Sequence, residues 1–226
     1  FTEAINFIAK MHYKGQYLKQ NTPLSISWYK KSIQQNDNEA RLALAQIYLN
    51  EKSLNENQSN ELAKLIKILS NQTDNQDIQY ELAQLYKEGK YYKKDLDKAI
   101  EILEDLADDN HKESQYQLGL IELEKKEYED ALELFIQARK NKHEESNYYI
   151  GKLYIEQLSN EKNSYTLARK ALQQALETQI NQQQIADTHY LLGMMYSNGH
   201  GVKKDIDKAV KMLALAANKK HIKACI

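Results

Sequence analysis

The sequence has very little cysteine, proline or glycine: of its 226 residues, one is cysteine, one is proline and 7 are glycine. The single cysteine, Cys225, excludes an intrachain disulfide and a metal site built from cysteines, and with them a disulfide-stapled secreted scaffold. Pro23 lies just before a predicted helix, where its missing N–H costs little. Nowhere does the sequence reach the ~20 consecutive apolar residues that a membrane-spanning helix needs.

An excess of charge of either sign is also lacking. The 31 lysines and arginines nearly balance the 32 aspartates and glutamates, so the formal net charge is −1. A near-neutral, evenly mixed surface argues against a nucleic-acid backbone or an anionic membrane as the main partner. The apolar share of 42% is enough for a continuous core, provided that each structural unit buries one face against its neighbours.

What the sequence does contain is an internal repeat, seen best in SQYQLGLIE (Ser114–Glu122), SNYYIGKLY (Ser146–Tyr154) and THYLLGMMY (Thr188–Tyr196). Each copy has a small residue after an aliphatic one, and successive small residues are 36, 38, 36, 32 and 42 positions apart. These small residues are Ala9, Ala45, Ala83, Gly119, Gly151 and Gly193. A period in this range is typical of stacked helical hairpins.

The C-terminal copy shows the plan of one hairpin most clearly. A helix over Thr188–Asn198 ends at Gly199, and Asp205 is a candidate N-cap for a second helix. Small residues in that second helix recur once per copy, which allows the two helices to approach closely. They are Ser25, Ala63, Ala99, Ala131, Ala168 and Ala209. The extra residues at Glu51–Asn60 and Thr178–Gln184 are expected to form loops between helices.

The segment Tyr190–Ala217 closely resembles the repeat pattern of the Sel-1-like repeat family, relatives of tetratricopeptide repeats, and Tyr80–His111 is a second good match. The resemblance implies an all-α, right-handed α/α solenoid of about six hairpins spanning the whole chain. The approximate repeats are 1–37, 38–75, 76–111, 112–143, 144–185 and 186–221. Residues 222–226 would begin a further, truncated repeat, and both ends of the chain are expected to be cut.

The resemblance also implies a function. Family members are commonly bacterial adaptors in signalling, envelope assembly or host interaction, and they bind a partner protein or peptide on the concave face of the solenoid. They are often periplasmic, envelope-associated or secreted, and a cytoplasmic location is the alternative. Two other functions stay open: a binder of polysaccharide or peptidoglycan at the cell envelope, and a regulatory arm of an enzyme whose catalytic domain lies outside this segment.

Motifs for catalysis are missing from the sequence. The run His143-Glu144-Glu145-Ser146 lacks the second histidine of a zinc-protease helix, and there is no glycine-rich phosphate loop or nucleophile elbow. We therefore predict a non-enzymatic protein with no cofactor and no metal. The histidines that recur once per repeat are too far apart to share one ion, so a structural role is expected for them. They are His111, His143 and His221.

Four tyrosines, each three residues before the small residue of its repeat, are predicted to pack between hairpins rather than to form an exposed aromatic ladder. They are Tyr80, Tyr116, Tyr148 and Tyr190. The positions two before and one after the small residue are expected to face the concave groove instead. Those predicted to contact a partner are Gln84, Gln117, Leu120, Tyr149, Lys152, Leu191 and Met194. The alternative is that this face packs on a missing repeat or on a second copy of the chain.

Overall fold

The structure is a computed structural model that describes residues 1–72, 76–89, 94–160, 163–178 and 180–219, without the side chains of residues 70–72 and 78. These described residues form twelve α-helices and no strand. The helices are α1 (Thr2–Lys14), α2 (Thr22–Ile33), α3 (Asn38–Asn50), α4 (Glu56–Gln72), α5 (Gln76–Glu88), α6 (Leu96–Asp108), α7 (Lys112–Lys125), α8 (Tyr128–Lys140), α9 (Ser146–Glu156), α10 (Ser164–Leu176), α11 (Gln182–Asn198) and α12 (Ile206–Asn218). Within this part of the chain, no helix is long and apolar enough to cross a membrane.

The chain divides into two compact units, Phe1–Ile102 and Leu103–Ile226. In the first unit α1 packs on α2 and α3 on α4, and α2 and α4 each also contact the helix that follows. In the second unit the pairs are α7 with α8, α9 with α10 and α11 with α12, and α8 and α10 contact the next pair. Both units are therefore built from helical hairpins whose neighbours share a core.

Helix ends are determined by local chemistry that the sequence signals in part. The predicted cap Asp205 accepts a hydrogen bond from the Lys208 backbone N–H at 2.9 Å, and Gly199 ends α11 with φ of 77°. Gly tolerates this left-handed conformation because it has no Cβ. The expected loop at Thr178–Gln184 is shorter than predicted, because Asn181 and Gln184 form a reciprocal capping box that starts α11 at Gln182.

A second predicted loop is also shorter in the structure. The segment Glu51–Asn60 was expected to be a loop throughout, but α4 already begins at Glu56. Asn55 makes the start possible, since its side-chain oxygen accepts a hydrogen bond from the Gln58 N–H at 2.9 Å. In return, the Gln58 side chain accepts from the Asn55 N–H at 3.0 Å, so two otherwise unpaired backbone donors are satisfied.

The small residues of the first helices lie where two helices cross. A Cβ added at Gly119 would stand 2.8 Å from Cε1 of Phe135, and one added at Gly151 would stand 2.5 Å from Cγ of Leu172. Both distances are shorter than any ordinary carbon contact, so the glycines allow the second helix of each hairpin to approach. The repeated small residue is thus a packing requirement.

The prediction that a small residue of each second helix packs against the first helix is wrong in the second hairpin. Ala63 was expected to be buried against the first helix, but it is exposed, and Leu62 is fully buried in its place. The apolar stripe of α4, formed by Leu62, Leu65, Ile66 and Leu69, turns this face towards the core. Burying four aliphatic side chains stabilises the unit far more than burying one alanine, so the helix rotates accordingly.

Candidate functional site

A groove lies across the first helices of the first unit. It has a volume of about 530 Å³, and α1, α3 and α5 supply nearly all of its lining. Positions two before and one after each small residue were predicted to face such a groove. The first unit has three of the small residues and therefore six such positions, of which five line the groove. They are Lys10, Ala43, Gln46, Glu81 and Gln84. Side chains at fixed positions of the repeat therefore line one groove of this unit.

The sixth position, Phe7, extends the groove at its α1 edge. Phe7 lines an adjoining hollow of about 290 Å³ together with Lys10, Tyr29 and Ala43, and it is 60% exposed. Large aromatic side chains that remain accessible beside a concave surface are the ones that dominate binding energies at interfaces. Phe7 is thus an exposed apolar side chain at the edge of a polar groove.

Charge is distributed unevenly across the groove. Lys10 and Lys14 extend from α1 at one wall, whereas Glu81 and Glu88 extend from α5 at the other wall. Helix α3 runs between them and contributes neutral polar side chains, among them Gln46. The groove therefore has lysines on one side and glutamates on the other.

Gln84 has an unsatisfied amide in the groove wall. Its side-chain Nε2 is buried and donates no hydrogen bond to any residue that the structure describes. A buried donor without an acceptor costs about 1–3 kcal/mol, which a ligand carbonyl would recover. Of the seven residues predicted to contact a partner, Gln84 is the one that lies in the first unit.

The other six predicted residues lie in the second unit, where Tyr149 is part of an aromatic cluster. Its ring stacks on Phe135 with centroids 4.9 Å apart and meets Tyr116 edge-on at 5.8 Å. Tyr116 in turn stacks on His143 at 4.1 Å. Burial, with Tyr149 and Glu145 nearby, raises the pKa of Tyr116. Tyr149 is therefore half-buried: part of its side chain packs in the core, and the rest is accessible.

Lys152 belongs to a polar network beside this cluster. Its Nζ lies 3.5 Å from Oδ2 of Asp187, and the Tyr148 hydroxyl donates a hydrogen bond to the same oxygen. Burial and the Asp187 carboxylate raise the pKa of Tyr148 well above its ordinary value of 10.0. The network links α9 to α11, so two hairpins are joined by a buried hydroxyl and a partly exposed ion pair.

The remaining four predicted residues differ in accessibility. Met194 is 37% exposed, and Gln117 and Leu120 are half-buried on α7. Leu191 departs from the prediction: it is only 5% exposed and packs with Ala168 and Leu172 in the core. The reason is that α11 and α10 meet along this face, so the aliphatic side chain is covered by the preceding hairpin.

The repeated tyrosines and histidines occupy structural positions where they are described. Tyr116 and Tyr148 are buried, and Tyr80 and Tyr190 are half-buried, so this register does not form an exposed ladder in the second unit. His111 caps α7, because its Nδ1 accepts from the Ser114 N–H at 3.3 Å. His143 does not cap a helix in this way: its Nδ1 lies 3.1 Å from the Ser146 hydroxyl, and α9 begins after Glu145 without a side-chain cap. His221 and Cys225 lie outside the described residues.

Two features of the groove and its surroundings were not predicted from the sequence. The first is that lysines on α1 lie opposite glutamates on α5. These residues are more than 60 positions apart in the sequence, so no local pattern indicates that they line the same groove. A second cleft, on the side of the second helices α8 and α10, lies at positions that the groove prediction did not consider. Among the described residues, no cluster of histidine, cysteine and acidic side chains could hold a metal ion.

Helical hairpins that stack on one another and repeat small residues at each crossing define a chain of the α/α-hairpin repeat class. Comparison with known families agrees with this class: the Sel1 repeat matches residues 2–37 and 186–221, and a tetratricopeptide repeat matches residues 88–143. Sel1 repeats are thus present at residues 2–37 and 186–221, and the second of them contains the motif in Tyr190–Ala217. Among curated proteins, none matches it.

Two solved structures share this fold. A protective antigen from uropathogenic Escherichia coli, described as displaying an SLR fold, aligns with a TM-score of 0.72 at 20% identity over 96% of this chain and 46% of its own. A Sel1 repeat protein from Oxalobacter formigenes aligns with a TM-score of 0.70 at 20% identity over 99% of this chain and 64% of its own. The predicted all-α solenoid class is thereby confirmed, and the chain spans less than two thirds of either structure.

Proposed function

We propose that this protein is a scaffold that binds a segment of a partner polypeptide in the groove of its first unit. Repeats of this fold are generally protein–protein interaction scaffolds and are typically non-catalytic. The observation that carries the proposal is the groove of about 530 Å³ lined by α1, α3 and α5. Its size lies within the range of about 300–1,000 Å³ that is usual for ligand sites.

The lining of the groove indicates the kind of segment that fits. Amide groups such as those of Gln46 and Gln84 can each donate and accept, which suits the N–H and C=O groups of a peptide backbone. Lysines on one wall and glutamates on the other favour a segment with an acidic and a basic side chain on opposite sides. Phe7 offers an apolar side chain of the partner a surface to pack on.

A separate contact surface is proposed on the second unit. The predicted residues that stay accessible there are Gln117, Leu120, Lys152, Met194 and the outer part of Tyr149. Substituting Tyr149 would disturb the stack on Phe135, so Met194→Glu is the better probe of this surface. A bacterial origin and a place in the cell envelope form part of the same proposal, supported by the bacterial sources of the two similar structures.

Selection from a random peptide library on the immobilised protein tests the proposal. Peptides that are enriched would be synthesised with a fluorescent label, and their affinities measured by anisotropy. Phe7→Ala and Lys10→Glu are each expected to weaken binding about ten-fold or more, because both side chains line the proposed site. Tyr17→Ala is the matched control, since Tyr17 is 91% exposed and lies outside the groove.

Two results would contradict the proposal. One is that no peptide is enriched over an unrelated protein. The other is that the enriched peptides bind Phe7→Ala and Lys10→Glu as tightly as the wild type. Loss of binding in Met194→Glu alone would move the contact from the first unit to the second.

A further inference from the structure

A second cleft, lined by none of the seven residues predicted to contact a partner, lies between the second helices of two hairpins in the second unit. Helices α8 and α10 form its walls, α9 contributes its floor, and its volume is about 570 Å³. Along α10 its lining runs from Leu167 to Glu177, which is about 15 Å at 1.5 Å per residue. That length accommodates four or five residues of extended chain at about 3.3 Å each.

The floor of the cleft contains a buried polar group that lacks a partner. Asn147 is only 7% exposed, and its Oδ1 accepts no hydrogen bond from any described residue. The corresponding residue of the preceding hairpin, Gln115, uses its side chain fully: its Nε2 donates to the carbonyl oxygen of Ala107 at 3.0 Å, and its Oε1 accepts from the side-chain amide of Asn141 at 2.8 Å.

One difference between the two hairpins follows from side-chain length. Ala107 precedes Gln115 by eight residues, and the residue eight positions before Asn147 is Arg139. Because the asparagine side chain is one methylene shorter than that of glutamine, it makes no bond to the Arg139 carbonyl. Oδ1 of Asn147 lacks a donor for a separate reason. Asn141, which donates to Gln115, stands ten residues after Ala131. The equivalent residue ten after Ala168 is Thr178, whose hydroxyl donates to the Ala175 carbonyl at 3.0 Å instead. A bound N–H group would satisfy this buried acceptor.

Two cations without ion-pair partners line the same cleft. Neither Arg139 nor Lys170 forms a salt bridge with a described residue, and the one acidic side chain in the lining is Glu177. Glu177 lies two turns of α10 beyond Lys170, so it disfavours negative charge at its own end of the cleft. The rest of the lining is mixed: Ile136, Ile150 and Leu167 are aliphatic, whereas Gln174 and Thr178 are polar.

We propose that this cleft binds an extended peptide segment carrying one carboxylate side chain beside aliphatic residues. A backbone N–H of the peptide donates to Oδ1 of Asn147, the carboxylate lies against Arg139 and Lys170, and the aliphatic side chains pack on the aliphatic part of the lining. Arg suits this task because its planar fork can hold both carboxylate oxygens. The cleft belongs to the second unit and the groove to the first, so the proposal goes beyond that groove and does not depend on it.

The proposal is tested with labelled, end-blocked hexapeptides of valine and alanine that carry one glutamate at each position in turn. Their affinities are compared with those of the same peptides carrying glutamine in place of glutamate. We expect at least one glutamate peptide to bind about ten-fold tighter than its glutamine counterpart, because the charged contact is lost in the latter. Arg139→Gln and Lys170→Gln should each remove about ten-fold of the affinity. Lys140→Gln should change it less than about two-fold, because Lys140 is exposed and outside the lining.

Asn147→Gln separates a binding role from a structural one. The longer side chain moves the amide oxygen away from the position that Oδ1 of Asn147 occupies, so peptide binding should fall about ten-fold. Its Nε2 is expected to reach the Arg139 carbonyl as that of Gln115 reaches Ala107, so the melting temperature should not fall. Three results would each overturn the proposal. They are unchanged peptide binding in Asn147→Gln, equal binding of the glutamate and glutamine peptides, and equal losses of affinity in Lys140→Gln and Arg139→Gln. Phe7→Ala should leave this binding intact, which keeps the result distinct from that of the first-unit groove.

Discussion

Replacing Asp37 with alanine should destabilise the first unit more than the loss of an ordinary helix cap. Asp37 precedes α3, and its Oδ1 accepts from the backbone N–H groups of Glu39 at 2.9 Å and Ala40 at 3.2 Å. Its Oδ2 accepts from Asn6 of α1 at 2.8 Å and from the Ser32 hydroxyl of α2 at 2.7 Å. One carboxylate therefore connects three helices across the junction of two hairpins.

The magnitude follows from the contacts of each oxygen. Losing the cap of α3 costs about 1 kcal/mol. Ser32 is fully buried, so its hydroxyl, left without an acceptor, adds about 1–3 kcal/mol. Asn6 is half-buried and can recover part of its bonding from water. The total expected loss for Asp37→Ala is therefore about 3 kcal/mol.

Asp205→Ala is the matched control in the second unit. Asp205 caps α12 through one hydrogen bond to the Lys208 N–H, and its ion pair with the Lys208 side chain, at 3.6 Å, is largely exposed. Its loss should cost about 1 kcal/mol. Urea unfolding followed by far-ultraviolet circular dichroism compares the two, and amide hydrogen exchange in the first turn of α3 locates the effect. Equal losses in the two variants would refute the role assigned to the Oδ2 contacts.

The pH dependence gives an independent check. Burial alone would raise the pKa of Asp37, but hydrogen bonds from Ser32, Asn6 and two backbone N–H groups bring it below the ordinary value of 3.8. A carboxyl with a lowered folded-state pKa stabilises the protein above its unfolded-state pKa, and this stability is lost as the pH falls through the folded-state value. Wild-type protein should therefore lose more stability than Asp37→Ala when the pH is lowered below 3.8. Parallel acid titrations of the two proteins would contradict this.

Two further predictions concern packing. Leu62→Ala should cost about 2–5 kcal/mol and Ala63→Ser less than about 0.5 kcal/mol in urea unfolding, since the first residue is fully buried and the second exposed; the opposite order would overturn the orientation of α4 described above. Gly119→Ala should cost about 1–3 kcal/mol by overpacking against Phe135, and Phe135→Leu in the same chain should recover part of the loss. An unchanged melting temperature of Gly119→Ala would argue against the close approach of α7 and α8.

Prediction from the sequence succeeded where one residue type has one physical reason to recur. Gly119 and Gly151 lie where a Cβ would collide with the facing helix, so their positions could be read as helix crossings. Asp205 caps a helix because its short carboxylate reaches backbone donors within its own turn. The helical period also places Gln46 and Gln84 in the lining of one groove once the small residue is located, whereas contact of Gln84 with a partner stays a prediction.

Prediction failed where two local signals compete or where neighbours decide accessibility. In α4 the alanine at position 63 fits the repeat, but the aliphatic stripe around Leu62 outweighs it because it buries more apolar surface. Leu191 stands two residues before its small residue, at the position that lines the groove in the first unit, but the preceding hairpin covers it. Burial of this kind depends on the packing of whole helices and has no signature within one repeat.

The sequence by itself determined the class of this protein: the period, the small residues at crossings and the capping residues act over one or two helical turns, so they can be read without coordinates. The tertiary structure decided which surfaces could bind a partner. Lys10 faces Glu81 across one groove, and Arg139 and Lys170 share one cleft, only because hairpins stack side by side. Contacts between residues that are distant along the chain depend on helix rotation and stacking, which a local pattern does not encode.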